Sequence, residues 1–526
     1  MSHRNSHTTH EREHTRRGFL RTLLGAGAGS LVLGNVPVHG LLAGPLSRAL
    51  ADTSSDRVLV MIRLKGGNDG LNTFIPLHDF GTYRDRRPAI YVPRSEAVTL
   101  TESLAMHPRM QPLQKLWQSG GMQVVRSVGY AGQNLSHFRS SDIWATGSDP
   151  GEYVNSGVLG RYLQHTYPDY LSSPPAVPPA IQIGGVGNLL FSNADDFNYA
   201  ISTSNPEQLY AIARTGSLYD LADLPDCTYG EQLGYLRAVA NTTFRYAGVL
   251  AEAYDRAQND AEYLDDGLGR QLALVARLLK GGLGTRLFVV ELDGFDTHAT
   301  QVEDHAQLLH SVAENVTTFF RDLGTDGTDR RVLGLTFSEF GRRVEQNGSE
   351  GTDHGAAAPV MLFGPALESN ATLGAPPNLT AVDGNGNLVA EHDFRSVYAT
   401  VLSRWLCIGD SLVDDLLGGT YPRLDGLALH CQATVPTRDP APGTDPLYLM
   451  ARREGPEITV IYRLPGVTTA AIHLHDVAGR RIGSPQRAET TPGTHELTLT
   501  GNLPVGVYLV TLETDRGVRS VRLPLF

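Results

Sequence analysis

Side chains that could carry chemistry occur in short clusters spread over most of the chain. They are Asp69; Ser136 and His137; Asp293, Asp296 and His298; Glu339 and Arg342; and Asp353 and His354. Carboxylates and imidazoles together are the ligands that hold zinc, manganese and similar divalent ions. A serine at a helix start beside such ligands can act as a nucleophile. A single Asp after a strand is most often a turn or a helix cap, so only the convergence of these clusters would indicate a site.

These clusters stand next to apolar runs that are typical of buried strands. The predicted strands are residues 58–64, 122–128, 287–292, 332–337 and 360–363. Helices are predicted over residues 104–118, 235–256, 263–280 and 301–323. This alternation predicts an α/β fold with a doubly wound, mostly parallel sheet covered on both faces. Because ligands bind at the carboxyl ends of the strands in such sheets, we expect the clusters to meet at one edge.

The sequence pattern changes near the C-terminus. The α/β domain is predicted to span residues 52–430, and a linker rich in Pro, Thr and Asp is predicted at residues 431–448. Residues 449–526 contain short runs in which apolar and polar residues alternate, separated by turns. This pattern predicts a small Ig-like β-sandwich.

The N-terminus carries the features of an export signal. Residues 15–20 read TRRGFL, a weakly apolar run follows to about residue 33, and residues 49–51 read ALA. These features predict a twin-arginine signal peptide over residues 1–51, which the twin-arginine translocase would recognise. No later run is apolar enough to span a bilayer, so we expect no transmembrane segment in the mature chain, which would enter the periplasm.

Charge and cysteine content narrow the class of protein further. The formal net charge is −12, which makes nucleic acid an improbable partner. The cysteines are Cys227, Cys407 and Cys431, too few for a disulfide scaffold and without the spacing of a zinc knuckle. A bridge between Cys407 and Cys431 and free buried thiols are both compatible with the sequence.

Several longer motifs resemble those of a large, uncharacterised family of twin-arginine-exported bacterial proteins. They are GGNDGLNT at residues 66–73, His107-Pro108, Ser136-His137-Phe138, Asp296-Thr297-His298, GTDHG at residues 351–355 and HDFRSVY at residues 392–398. The resemblance runs from about Val58 to Gly426. That family is a domain of unknown function grouped with the alkaline phosphatase and sulfatase superfamily.

The resemblance implies a divalent metal ion (zinc, manganese, magnesium or calcium) and roles for the candidate residues. Asp69 matches the first metal ligand and Ser136 the nucleophile, with His137 beside it. Asp293 or Asp296, together with His298, resembles the ligands of a later strand. Glu339 takes the place of a paired Asp and His354 that of the last His, although Asp353 and His354 could themselves be the pair. Arg139 or Arg342 would hold the oxygens of the transferred group.

The implied function is metal-dependent hydrolysis of phosphate or sulfate esters. Phe340 stands where the superfamily has His, so a one-metal or vestigial site is also implied, and the alternative function is a non-catalytic secreted or cell-surface protein. A role in processing or binding polymers is disfavoured because the chain has only 3 tryptophans for stacking.

The C-terminal segment resembles a type IX secretion sorting domain. The resemblance rests on residues 476–480, 493–495, 503–508 and 518–523. It implies that the type IX secretion machinery is a partner and that the final location is the cell surface or the medium.

Overall fold

The chain divides into two compact units, the larger ending at Cys431 and the smaller comprising mainly residues 432–526. The computed structural model describes residues 31–33, 36–38, 56–184, 189–203, 218–220, 224–225, 227–431, 448–454, 457–464, 469–476, 481–482, 486–487, 491, 493–500, 506–514 and 517–525. Nearly all of the predicted signal peptide and of the predicted linker lie outside these ranges.

The strands of the larger unit have the following bounds: β1 (Leu31–Leu33), β2 (Val36–Val38), β3 (Val58–Lys65), β4 (Phe74–Pro76), β5 (Val98–Thr101), β6 (Leu104–Met106), β7 (Met122–Gly129), β8 (Ala180–Ile183), β9 (Ala200–Thr203), β10 (Leu287–Asp293), β11 (Val332–Phe337), β12 (Gly341–Arg342), β13 (His354–Gly355), β14 (Ala358–Phe363), β15 (Ala371–Leu373) and β16 (His392–Asp393). Its α-helices are α1 (Gly70–Thr73), α2 (Phe80–Arg86), α3 (Gln114–Gln118), α4 (His137–Thr146), α5 (Val158–Thr166), α6 (Thr228–Arg256), α7 (Gly267–Lys280), α8 (Gln301–Leu323), α9 (Phe394–Thr400) and α10 (Asp410–Leu417).

A large central sheet organises this unit. Within the described residues it has 11 strands in the order β15-β7-β14-β11-β3-β10-β8-β9-β1-β2, and β16 also pairs with β7. Strand β3 lies between β10 and β11 and runs parallel to both. Strand β7 is buried along its whole length, as expected for a strand covered on both faces. The predicted class, a mixed α/β unit with a mostly parallel sheet, is confirmed.

Strand β14 departs from the parallel arrangement in a way that matters for the site. It runs antiparallel to both of its neighbours, β11 and β7. Its first residue therefore lies at the edge of the sheet where β3, β7, β10 and β11 end. The loop that precedes β14 reaches the same edge as the loops that follow the other strands.

One predicted helix is wrong, and two begin at other residues. Residues 104–118 form β6, a 3-10 helix at Pro108–Leu113 and the short helix α3. Two prolines explain the difference, because proline lacks the N–H that a continuous α-helix needs. Helices α6 and α7 begin seven residues earlier and four residues later than predicted, whereas α8 has the predicted bounds.

The C-terminal unit consists of short antiparallel strands, as its alternating pattern predicted. They are β17 (Tyr448–Glu454), β18 (Glu457–Leu464), β19 (Ala470–Asp476), β20 (Gln486–Arg487), β21 (Gly493–Thr500), β22 (Gly506–Thr514) and β23 (Gly517–Leu525). They form two sheets, in the orders β17-β18-β21 and β20-β19-β22-β23. Alternate residues of β18 and β22 are buried in one hydrophobic cluster to which both sheets contribute.

Two features bear on export. No helix in the described part of the chain is long and apolar enough to cross a membrane. Cys407 and Cys431 form a disulfide, which resolves the two alternatives left by the sequence, and Cys227 is a free thiol. Arg57 lies beside this bridge and donates to the carbonyl oxygens of Trp405 and His430, at 3.3 and 2.7 Å.

We predict that removing the disulfide destabilises the larger unit. The bridge closes a loop between residues 24 positions apart, which is worth about 3 kcal/mol by the chain-entropy estimate. The paired substitution of Cys407→Ser and Cys431→Ser should lower the free energy of unfolding by about this amount in urea titrations. Cys227→Ser is the matched control and should leave stability within about 0.5 kcal/mol. Equal stability of the paired variant and the control would contradict the prediction.

Candidate metal centre

Residues from four separate segments meet at the edge of the central sheet. His137 begins α4, which follows β7. Asp296 and His298 lie in the loop after β10, and Glu339 lies in the loop after β11. His354 is in β13, immediately before the antiparallel β14, and pairs with Arg342 of β12. The reversed direction of β14 therefore delivers the last imidazole to the group.

The carboxylate of Asp296 is the centre of this group. Its Oδ1 lies 3.1 Å from His354 Nε2 and 3.2 Å from His298 Nε2, and its Oδ2 lies 3.4 Å from His137 Nε2. One donor atom from each of His137, Asp296 and His354 lies within 4.8 Å of the others. The Asp296 side chain is about half exposed, so the group is open on one side.

Each of the three imidazoles has an acceptor near its other ring nitrogen. Nδ1 lies 2.9 Å from Glu339 Oε1 in His137, 2.8 Å from the Leu135 carbonyl oxygen in His354 and 3.3 Å from Asp353 Oδ1 in His298. With the proton on Nδ1, every Nε2 is left as a lone pair facing Asp296. Metal-binding histidines are commonly oriented in this way by a carboxylate or a carbonyl.

Two further contacts test whether a cation fits the group. The Nε2 atoms of His298 and His354 are 2.9 Å apart, and two imidazole nitrogens at that distance must share a proton or a cation. His137 Nε2 and Glu339 Oε2 are buried without a hydrogen-bond partner in the described part of the chain. Unpartnered buried acceptors beside a carboxylate suit a divalent ion, so the residues present fit one.

Arg342 supplies the fixed positive charge next to Asp296. Its guanidinium is buried, and its nitrogens donate to four carbonyl oxygens, those of Gly66, Gly67, Phe295 and Thr352, and to Asp296 Oδ1 at 2.6 Å. Burial alone would raise the pKa of Asp296, but the hydrogen bond and charge of Arg342, aided by His354, lower it to about 2. The predicted role of Arg342 as a clamp on substrate oxygens is wrong, because all of its donors are used within the protein.

The environments of His137 and His354 differ. The hydrogen bond to Glu339 raises the pKa of His137, and burial lowers that of His354. The ring of Phe340 contacts both imidazoles, with centroid distances of 4.8 and 4.5 Å. Phe340 is thus a wall that orients the two histidines at the position where the superfamily resemblance placed a metal ligand.

Asp69 lies beneath the group and has a different use from the predicted one. Its Oδ1 accepts from the Leu71 amide at 3.2 Å, and its Oδ2 accepts from Arg87 at 2.5 Å and from Gln301. Both oxygens are occupied and the side chain is fully buried, so Asp69 caps α1 and neutralises Arg87 instead of facing an ion.

Gln301 extends this buried network to the two loops that carry ligands. Its Oε1 accepts from Thr352 at 2.6 Å and from Thr297 at 3.2 Å. Thr297 lies between Asp296 and His298, and Thr352 lies two residues before His354. The Asp69–Gln301 contact therefore fixes both loops. Nothing in the sequence marked Gln301 or Arg87, because their importance comes only from the tertiary contacts.

The GGNDG motif allows this close packing. Gly66 and Gly67 have φ values of +121° and +88°, which favour glycine. A Cβ atom on Gly66 would come within 2.3 Å of the Asp296 amide nitrogen, and one on Gly67 within 2.4 Å of the Phe340 ring. The two glycines therefore let the loops that carry Asp296 and Phe340 approach β3.

Three other candidates lie at the rim without joining the ligands. Asp293 is exposed and pairs with Lys65 at 2.5 Å, so it is not part of the group. Ser136 is the exposed N-cap residue of α4, and its side chain makes no capping hydrogen bond. Arg139 donates to backbone carbonyls of the loop at residues 149–152 and is not available as a clamp.

A cavity of about 470 Å³ opens beside the group. His137, Asp296 and Glu339 form one part of its wall, and Arg63 and Lys65 add positive charge. Apolar side chains form most of the remainder, among them Trp144 and Phe337. The side chain of Phe138, also in the wall, is 87% exposed.

Comparison with protein families and sequences gives one match. A model of the family described as "Protein of unknown function (DUF1501)" matches residues 236–406, less than half of the chain. This stretch contains Asp296, His298, Glu339 and His354, whereas His137 and Asp69 precede it. No curated protein matches the chain.

Solved structures with distant likeness belong to phosphatases and sulfatases. A protein in the alkaline phosphatase superfamily from Vibrio parahaemolyticus is 10% identical, with 93% of this chain and 88% of that chain covered and a TM-score of 0.31. A sulfatase from Pseudoalteromonas sp. is 11% identical, with 84% and 83% covered and a TM-score of 0.32. The alkaline phosphatase from the Antarctic bacterium TAB5 is 10% identical, with 61% and 95% covered and a TM-score of 0.24. At these TM-scores the likeness supports no conclusion about the site.

The buried position of Asp69 generates a stability prediction. Asp69→Asn should lower the free energy of unfolding by about 3–5 kcal/mol, because it leaves the Arg87 cation buried without a counter-charge. Asp293→Asn is the matched control, since it breaks an exposed pair, and should cost no more than about 1 kcal/mol. Chemical denaturation of both variants measures the difference.

The pH dependence of this contribution follows from the same contacts. Burial opposes ionisation of Asp69, but Arg87 outweighs it and lowers its pKa below the usual value. The stabilisation is therefore present at neutral pH and is lost as the pH falls through the pKa of the folded protein. An Asp69→Asn variant as stable as Asp293→Asn at neutral pH would refute this account.

Proposed function

We propose that the protein is an exported, metal-dependent hydrolase of phosphate or sulfate esters. The observation that carries the proposal is the convergence of three Nδ1-anchored imidazoles, those of His137, His298 and His354, on the Asp296 carboxylate beside an open cavity. Support also comes from Lys65, whose half-exposed ammonium in the cavity wall suits an anionic substrate.

Asp296, His137 and His354 would hold the ion, with His298 adjoining. Imidazole-rich sites favour zinc and related transition metals, whereas magnesium and calcium prefer oxygen ligands, so zinc or manganese is the best match. When bound, such an ion polarises an ester oxygen and lowers the pKa of a water molecule.

The chain's own groups prepare this chemistry. Glu339 holds the Nδ1 proton of His137, and Asp353 does the same for His298, so that each Nε2 faces the ligand group. Arg342 keeps Asp296 ionised and fixes its orientation. In the proposal Ser136, exposed at the start of α4 next to His137, remains the nucleophile. Attack by water is the alternative, and the two differ in their dependence on Ser136.

We predict that the purified protein contains a stoichiometric divalent metal and hydrolyses p-nitrophenyl phosphate or p-nitrophenyl sulfate. His354→Ala should lose the metal and the activity, because it removes one of the converging nitrogens. His165→Ala, which alters an exposed histidine of α5, is the matched control and should retain both. Metal content by mass spectrometry and release of p-nitrophenol are the measurements.

Ser136→Ala separates the two mechanisms. A serine nucleophile predicts retained metal and a loss of kcat of more than about 10³-fold. A loss of less than about tenfold would assign the attack to water instead. Metal-free wild-type protein that is inert on both esters would contradict the hydrolase.

A non-catalytic secreted protein is the second candidate. Phe340 favours it, because an aromatic ring stands where the superfamily resemblance placed a metal ligand. Its buried ring packs against two imidazoles. This function predicts a folded protein with no bound metal.

Export by the twin-arginine route and sorting by the type IX machinery complete the proposal. Support comes from the TRRGFL motif, the Cys407–Cys431 disulfide, which suits an oxidising compartment, and the two small sheets on one core, which suit an Ig-like β-sandwich. Replacing Arg16 and Arg17 with lysine should leave the precursor inside the cell, as measured by fractionation and immunoblotting. Normal secretion of that variant would contradict the export route.

A further inference from the structure

The cavity continues away from the candidate metal centre along helix α4. His137, Ser141 and Trp144 follow each other at spacings of four and three residues, so they share one face of the helix, and all three line the cavity. Since an α-helix rises about 1.5 Å per residue, Trp144 lies roughly 10 Å along the axis from His137. Helix α4 therefore links the reacting end of the cavity to a second end at Trp144.

Two hydrogen-bond donors at that second end are unused. The indole Nε1 of Trp144 and the hydroxyl of Tyr398 are both buried and have no hydrogen-bond partner among the residues that the structure describes. Both residues line the cavity, and their rings are 6.1 Å apart in an edge-to-face arrangement. Burial raises the pKa of Tyr398, with Arg63 partly offsetting it, so the hydroxyl keeps its proton. Leaving a buried donor unpaired costs about 1–3 kcal/mol, which a ligand acceptor would recover.

The HDFRSVY motif at residues 392–398 builds this end of the cavity. Its Phe394 stacks on Trp144 with a centroid distance of 4.5 Å, and its last residue is Tyr398. Phe337 stacks near Trp144 at 6.1 Å. These contacts fix the two rings, so the positions of their donors are set before a ligand binds. The proposed hydrolytic chemistry makes no use of this motif.

We propose that Trp144 and Tyr398 determine specificity by donating hydrogen bonds to an oxygen on the organic part of the substrate. The inference rests on the proposed function, because it takes the metal centre as the site of the ester group. The walls between the two ends include Ala145, Leu189 and Phe337, which suit a compact, largely apolar body. Arg63 already pairs with Glu291 at 3.1 Å, so a neutral acceptor suffices. The substrate class is an ester of a compact organic alcohol with a neutral oxygen acceptor within about 10 Å of the ester.

Two phosphonates that cannot be hydrolysed at the ester position test the proposal. Phenylphosphonate carries no acceptor on its ring, whereas 4-carbamoylphenylphosphonate carries an amide oxygen at the far end. Dissociation constants of both probes are measured by calorimetry for the metal-loaded wild type, Trp144→Phe and Tyr398→Phe. Each substitution keeps an aromatic ring and removes one donor. Tyr170→Phe, at a buried tyrosine outside the cavity lining, is the matched control.

The wild type should bind the carbamoyl probe at least about tenfold more tightly than phenylphosphonate. Each variant should reduce this preference by about 2- to 12-fold, the range expected for one hydrogen bond, and the control should keep it. No preference in the wild type, an undiminished preference in both variants, or failure of the probes to bind would overturn the proposal.

Hydrolysis of phenyl phosphate, assayed separately, distinguishes this failure from failure of the proposed function. Turnover without a probe preference would leave the hydrolase standing and remove the specificity role. A probe preference that both variants reduce, without any turnover, would remove the hydrolase and leave the specificity role.

Discussion

The burial of Arg342 is the constraint on which the candidate site depends. A guanidinium without water needs every donor satisfied and a counter-charge nearby, and Arg342 meets both needs at the edge of the sheet. Its carbonyl partners come from the turn after β3, the loop after β10 and the segment before β13, so one side chain joins three loops. Its counter-charge is Asp296, the carboxylate on which the imidazoles converge. Stability and the candidate chemistry thus share one ion pair.

A second buried ion pair supports the first from below. Asp69 and Arg87 are fully buried and, through Gln301, reach the threonines beside the ligand residues. The resulting arrangement is rigid at its base and open at Asp296, whose side chain is about half exposed. This is the arrangement expected of a site that must hold its ligands in place and still admit a substrate. The polar network consumes charges that the sequence made equally eligible as ligands.

Prediction from sequence worked where local pattern decides structure. The apolar runs located β3, β7, β10, β11 and β14, and the amphipathic pattern gave the bounds of α8, because burial on the sheet imposes those periods. Residue type and position next to strands also identified His137, Asp296, His298 and His354, which the structure brings together. Two prolines after His107 ended the predicted helix at residues 104–118, a local signal that the periodicity concealed. The direction of β14 had no local signal, since strand pairing is set by the whole sheet.

The uses of individual polar residues were harder to predict, because they depend on partners remote in the chain. Asp69 and Asp296 both follow strands, yet Arg87 occupies the first and the imidazoles surround the second. Arg342 was expected to face a substrate and instead binds backbone carbonyls. Trp144 and Tyr398 drew no attention as functional groups, since only the cavity shows that their donors are unused.

Anomalous diffraction from crystals of the protein, recorded at the absorption edges of zinc and manganese, tests the central claim most directly. The account predicts one strong peak within about 2.2 Å of an Asp296 oxygen and of Nε2 in His137 and His354. A peak coordinated by Asp69 or Asp293, or no peak in crystals soaked in either metal, would contradict it.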